Sequence, residues 1–135
     1  MSVRHETVTV QTKRREETID ITARVKAAVT RAKIAEGLVV VTVAHTTAAV
    51  FVNENADPNV QKDLLTALER TVPRDAAYEH AEGNGPAHIK AVLISNSVTL
   101  AIRDGAIALG TWQGVYFAEL DGPRERSATI TVIGD

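Results

Sequence analysis

Period-two and continuous apolar patterns mark seven stretches of this chain as strands. Residues 6–11 alternate through Thr7, Val8, Thr9 and Val10 and read as a strand. Residues 38–43 (Leu-Val-Val-Val-Thr-Val) form an unbroken β-branched run, the mark of a buried strand, and Ala48 to Val52 is a second apolar strand close behind it. Residues 98–102 and 106–109 flank Arg103-Asp104-Gly105, an Asp-Gly hairpin signal, and residues 115–120 and 124–133 supply two more strands. Three stretches repeat with helical spacing. Ile21, Val25, Ala28, Val29 and Ala32 follow Asp20 as an N-cap, with Glu36-Gly37 closing the segment. Asp57-Pro58 opens a helix through Val60, Leu64, Leu65 and Leu68 to Thr71, stopped by Pro73. Pro86 opens a third through Ile94, with His88 in its first turn and Ser95-Asn96-Ser97 breaking it. No repeat, linker or low-complexity tract interrupts the pattern. The expectation is one α+β domain over residues 1–135, with about seven strands and three helices. Most links between strands read as short hairpins, so the sheet is expected to be largely antiparallel.

Polar residues break this pattern at four places. Tyr78 to Lys90 holds His80 and His88 around Gly83, Asn84, Gly85 and Pro86, a composition that makes a tight ordered loop. Two imidazoles on one short loop are candidates for metal ligation or acid–base work, and two surface histidines are the plain alternative. His45-Thr46-Thr47 lies between two apolar strands, where an unpaired polar group costs about 1–3 kcal/mol. A core histidine satisfied by its hydroxyl neighbours explains it as well as a site does. Asn53-Glu54-Asn55-Ala56-Asp57-Pro58-Asn59 ends the next strand. Asp57 has a capping duty and Asp63 reads as a solvated acid, which leaves Asn53 and Glu54 as functional candidates. Arg124 and Arg126 are two apart on the last strand and so share a face. They suit a phosphate or carboxylate, or else ion pairs with Glu119 or Asp121. His5 reads as exposed and without function.

Composition narrows the chemistry. The chain of 135 residues is 44% hydrophobic and 24% charged with a net charge of -2, which offers no electrostatic case for nucleic acid or an anionic membrane. The absence of cysteine removes disulfides, thiolate nucleophiles and cysteine metal sites together. No run approaches a membrane span and Met1 to Val10 lacks the apolar core of a signal peptide, so a cytoplasmic location is expected.

Five blocks then occur in order: His45-Thr46-Thr47; Asn53-Glu54-Asn55-Ala56-Asp57-Pro58 with Asp63; Tyr78-x-His80 with Asn84 and Ala87-His88-Ile89-Lys90; Gly110-Thr111-Trp112-Gln113-Gly114; and Gly122-Pro123-Arg124-x-Arg126. Together they resemble the YjbQ-like family, often called secondary thiamine-phosphate synthases, over nearly the whole chain. The resemblance implies an α+β sandwich that assembles as a homotrimer, with polar clefts near subunit boundaries. It also implies a weak transferase activity joining a hydroxymethylpyrimidine pyrophosphate to a thiazole phosphate. A trimeric binding module for a phosphorylated or aromatic metabolite is the non-enzymatic alternative. Helices can cover only part of this much sheet, so apolar strand surface should be left over for a trimer to bury.

Joined to that activity, the residues take expected roles. His45, His80 and His88 would hold a divalent ion, zinc or magnesium, or two of them would meet as proton carriers without metal. His45, Asn53, Glu54, Asn84 and Gln113 are the catalytic candidates, some of them orienting substrate or water. Thr46, Thr47, Trp112, Glu119, Arg124 and Arg126 are candidates for contacting a phosphorylated substrate, Trp112 by stacking and the arginines by charge.

Overall fold

The structure, a computed structural model describing residues 1–135, has eight strands and three helices. In chain order these are β1 (Ser2–Gln11), β2 (Glu17–Asp20), α1 (Thr22–Ala32), β3 (Gly37–Thr42), β4 (Ala48–Glu54), α2 (Pro58–Thr71), α3 (Gly85–Ile94), β5 (Ser97–Arg103), β6 (Ala106–Ile107), β7 (Gln113–Glu119) and β8 (Glu125–Gly134). They form a five-stranded sheet, β1-β8-β3-β5-β6, and a three-stranded sheet, β2-β7-β4. Every ladder is antiparallel. The α+β class and the antiparallel sheets match expectation, but the route to them differs. Only β5 and β6 pair as a hairpin, across the Asp104-Gly105 turn, whose two residues take positive φ. The other ladders join strands distant in sequence, such as β1 with β8 and β4 with β7. No helix is long and apolar enough to cross a membrane.

Local chemistry sets the helix ends. Asp57 caps α2, accepting from the Asn59 amide at 2.9 Å with Pro58 at the first helical position. Asp20 sits one residue before the α1 cap, and its Oδ1 accepts from both the amide and the hydroxyl of Thr22. Asp20, expected as the cap of α1, is the last residue of β2, which pairs with β7. Gly114 permits a close approach: a Cβ there would lie 2.8 Å from Asn55 Nδ2 and 3.0 Å from Thr22 Oγ1. Ser95 ends α3 at φ 103 and ψ 158, a region that suits glycine.

The core lies between the sheets and under α1. Val25, Ala28 and Val29 of the helix meet Val39, Val41, Ile130 and Val132 of the larger sheet and Val50, Val115 and Phe117 of the smaller. The opposite face of the larger sheet alternates away from this core. By register it carries Val3, His5 and Thr7 of β1, Ile133, Thr131 and Thr129 of β8, Leu38, Val40 and Thr42 of β3, and Ala101, Thr99 and Ser97 of β5. Leu38 is 44% and Val3 50% exposed.

A buried ion pair locks the two sheets together. Arg126 at the start of β8 reaches Glu119 at the end of β7 through Nε at 2.8 Å and Nη2 at 2.6 Å. Glu119 is 0% and Arg126 4% exposed. Glu119 also accepts from the Thr12 hydroxyl and the Asp121 amide, while Arg126 donates to the carbonyl and hydroxyl of Thr47. Burial alone would push the Glu119 carboxyl up, but Arg126 and these donors outweigh it and hold it below the usual carboxylate range.

Two outcomes follow for stability. Replacing Ser95 with Gly relieves its backbone, and a gain of about 1 kcal/mol, read as a rise in Tm of a few degrees, is expected; an unchanged or lower Tm would count against strain at this position. Arg126→Met leaves a buried carboxylate unpaired and should cost about 3–5 kcal/mol in denaturant unfolding, with Glu119→Leu in the same chain restoring part of it. The pH dependence gives the sign. In the wild type the depressed Glu119 contributes stability above the ordinary carboxyl value of about 4.3, and loses it as pH falls through its lower folded value. Without Arg126 burial raises that folded value, so the variant's deficit should shrink on acidification. A deficit independent of pH would refute the assignment.

Candidate functional site

His45 follows β3 and stands where the larger sheet loses a strand. The β3 ladder to β8 ends at Thr42 opposite Thr129, so Ser127, two residues before Thr129 and paired with Thr9 of β1 on its other side, has no partner on β3. His45 takes that place: its Nε2 accepts from the Ser127 N–H at 3.1 Å. An amide can donate only to a ring nitrogen that carries no proton, so the neutral ring holds its proton on Nδ1. Burial, and then the Arg126 guanidinium, push the His45 pKa below the ordinary histidine value.

His45 lines a cavity of about 470 Å³ with Thr46, Ala48, His88, Ala91, Val92, Ser95 and Asn96. His88 arrives from the first turn of α3, which Pro86 opens. A second cavity, about 330 Å³, shares His88 and adds Tyr78, Glu79, His80, Gly85 and Ile89. Tyr78 packs against Gly85, where a Cβ would stand 3.1 Å from its ring. The His80 and His88 rings meet edge to face with centroids 5.0 Å apart, and Glu82 lies 3.7 Å from His80 Nε2. Exposed Ile89, Val92 and Leu93 form an apolar stripe along the outer side of α3, beside both cavities.

The structure therefore divides the expected site residues. His45, Thr46, His80 and His88 come together. The three-imidazole ion site does not form: no group of three His, Asp or Glu side chains is placed to hold a metal, and the Nε2 lone pair of His45 is engaged by Ser127. The chain thus offers an imidazole pair, with His45 lining the same cavity as His88, not the three ligands a catalytic zinc ordinarily takes.

The anion site expected from Arg124 and Arg126 is corrected on geometry. Arg124 precedes β8, is exposed and pairs with Asp121 at 3.0 Å, while Arg126 is buried against Glu119. Glu119 and Thr47, expected to touch substrate, belong to that buried network. Asn84 is turned away from the cleft. Its amide donates to Asp121 at 2.8 Å, and its oxygen is buried without a partner beside a small void it lines with Lys90.

Asn53, Glu54, Trp112 and Gln113 stand at the other end of β4. Six steps of strand separate Glu54 from Ala48, roughly 20 Å. Three of these residues are occupied with local structure. Asn53 Oδ1 accepts from the Glu54 amide, Glu54 from Asp57, and Gln113 Oε1 from Gly110. Trp112 is 64% exposed.

Ser95 and Asn96 line the cavity although the sequence marks them only as a helix break. Lys90 is 1% exposed and holds Glu16 at 2.8 Å and Glu69 at 2.9 Å. Burial works against its charge, but the two carboxylates outweigh it and hold its pKa above the ordinary lysine value. The signal was available: it is the one charged residue of an otherwise apolar helix, on the inward face with Ala87 and Ala91.

Comparison with known proteins places the chain. The model of the UPF0047, YjbQ-like family matches residues 6–135. A UPF0047 protein of Methanocaldococcus jannaschii is 45% identical over 93% of this chain and 91% of its own, and YugU of Bacillus subtilis is 40% identical over 95% and 98%. Among solved structures, an uncharacterized conserved YjbQ/UPF0047 protein of Clostridium acetobutylicum superposes with a TM-score of 0.93 at 44% identity, covering 95% of this chain and 99% of that one. A protein of Sulfolobus solfataricus described as of unknown function gives 0.97 at 32% identity, covering 99% of each. These relatives are named by family alone or as of unknown function, and none as a thiamine-phosphate synthase. The thiamine-phosphate synthase activity attached to the resemblance is accordingly withdrawn. What the fold, the five sequence blocks and these relatives establish is that the chain belongs to the UPF0047, YjbQ-like family.

Proposed function

We propose that the cleft around His88 is the active site of a small-molecule enzyme that works by proton transfer. One observation carries the reading: His88 is the common wall of two adjoining cavities, lies in edge contact with His80 and shares the larger cavity with His45. An imidazole pair near neutral pH can give a proton from one ring and take one on the other. His45, kept neutral, serves as a fixed wall of the site. Ile89 and Val92 add apolar contact, which suits a ligand with a short aliphatic or flat portion.

Self-association is the second part of the proposal. The outer face of the five-stranded sheet carries mainly threonine and aliphatic side chains, with His5, Glu125 at the start of β8 and the edge residue Arg103 as its titratable groups. A sheet face this poor in charge is unusual next to water. Further copies of the chain fit against it, in the trimer that the family resemblance implies. Sedimentation at micromolar concentration should give the trimer mass and Leu38→Glu a smaller species; a wild-type monomer of 14.5 kDa would end this part of the proposal.

Binding to the cleft is tested by ligand-observed NMR against a library of small polar compounds. Hits should lose at least tenfold in affinity with His88→Ala, and less with His80→Ala because that ring lines only the second cavity. Hits that bind His88→Ala as well as wild type would place the ligand elsewhere.

A further inference from the structure

The bond between His45 and Ser127 has a consequence for what the cleft can hold. With Nε2 accepting from the amide at 3.1 Å, the neutral ring carries its proton on Nδ1. The other tautomer would set two N–H groups against each other in a partly buried place, leaving both unsatisfied. Nδ1 makes no hydrogen bond within the chain, and the ring lines the 470 Å³ cavity. Thr46, Ser95 and Asn96 bring hydroxyl and amide groups to the same cavity, while Ala48, Ala91 and Val92 give it an apolar side. The His88 wall is 43 residues away in sequence but shares this lining.

We infer that His45 presents its Nδ1–H to an acceptor oxygen of the ligand, so that the His45 side of the cavity is a subsite for a carboxylate or carbonyl group on a small, partly aliphatic molecule. The inference deepens the proton-transfer reading and rests on it for the identity of the cleft. It also assigns His45 a task of its own: it donates a hydrogen bond from a proton fixed on Nδ1 by the Ser127 bond. A ring held in this way cannot give a metal ion its Nδ1 lone pair without first surrendering the Ser127 bond.

Long-range proton–nitrogen NMR of the labelled native protein reads each ring's tautomer directly, and His45→Ala assigns the signal. Near pH 7 one ring, absent from that variant, should show the Nδ1–H pattern. Titration with acetate, pyruvate and acetone, as the simplest carboxylate, keto acid and ketone, should shift that Nδ1 signal saturably with at least one of them. Zinc chloride should leave it in place. An Nε2–H pattern, a signal that none of the three probes moves, or conversion to a metal-bound pattern with zinc would each overturn the inference. If the probes move the His80 and His88 signals and leave His45 still, the cleft stands as a ligand site and only the His45 subsite fails.

Discussion

Everything about the cleft depends on a charge pair that never touches it. Arg126 and Glu119 are buried where the ends of β1, β4, β7 and β8 meet, and their hydrogen bonds draw in Thr12, Thr47 and Asp121. The pair bridges the two sheets at one end of the sandwich. Its gain over a well-packed apolar filling is small at best, since desolvating both charges offsets most of their attraction. What it supplies is position. Arg126 sets the start of β8, Ser127 follows it, and the Ser127 amide orients His45. A guanidinium that looks like a substrate contact in sequence thus acts by fixing the strand that holds the histidine.

The same economy explains α3. The helix is apolar enough to be buried on all sides, yet it rests on Lys90 and leaves Ile89, Val92 and Leu93 exposed. Lys90 reaches Glu16 in the β1–β2 connection and Glu69 near the end of α2, so one buried ammonium ties three segments. With Asn84 bound to Asp121 at the helix entrance, α3 is anchored by polar contacts on its inner side. The first turn, which carries His88, is held between these two anchors. The histidine wall therefore stands on a rigid element and His80 on a loop, which gives the pair one fixed and one adjustable member.

Much of this was legible in the sequence where local chemistry decides. Asp57-Pro58 starts a helix because an N-cap acid and a proline at N1 work wherever they occur, and Asp104-Gly105 turns because both residues tolerate positive φ. The apolar runs at residues 38–43 and 115–120 became strands nearly as read. Pairing was less legible, because β1 with β8 and β4 with β7 are chosen by packing across the whole chain. The fates of Arg124 and Arg126 were open for the same reason. Two alternating residues share a face only within a regular strand, and β8 begins at Glu125, after Arg124.

The candidate site shows how sequence proximity misleads at a strand. His45-Thr46-Thr47 and Asn53-Glu54 are a few residues apart, and a helix between them would have kept them within about 10 Å. An extended β4 carries them to opposite ends of the smaller sheet. At one end, the groups beyond β4 meet a helix start and the β7 entry, and turn chemistry uses them: Asn53, Glu54 and Gln113 each accept a backbone amide. At the other end, β3 stops before β8 does, and the unpaired edge it leaves admits the His45 ring. Two cavities open there and meet at His88. A polar residue at a strand end is thus a functional candidate only after the backbone amides around it have been satisfied by something else.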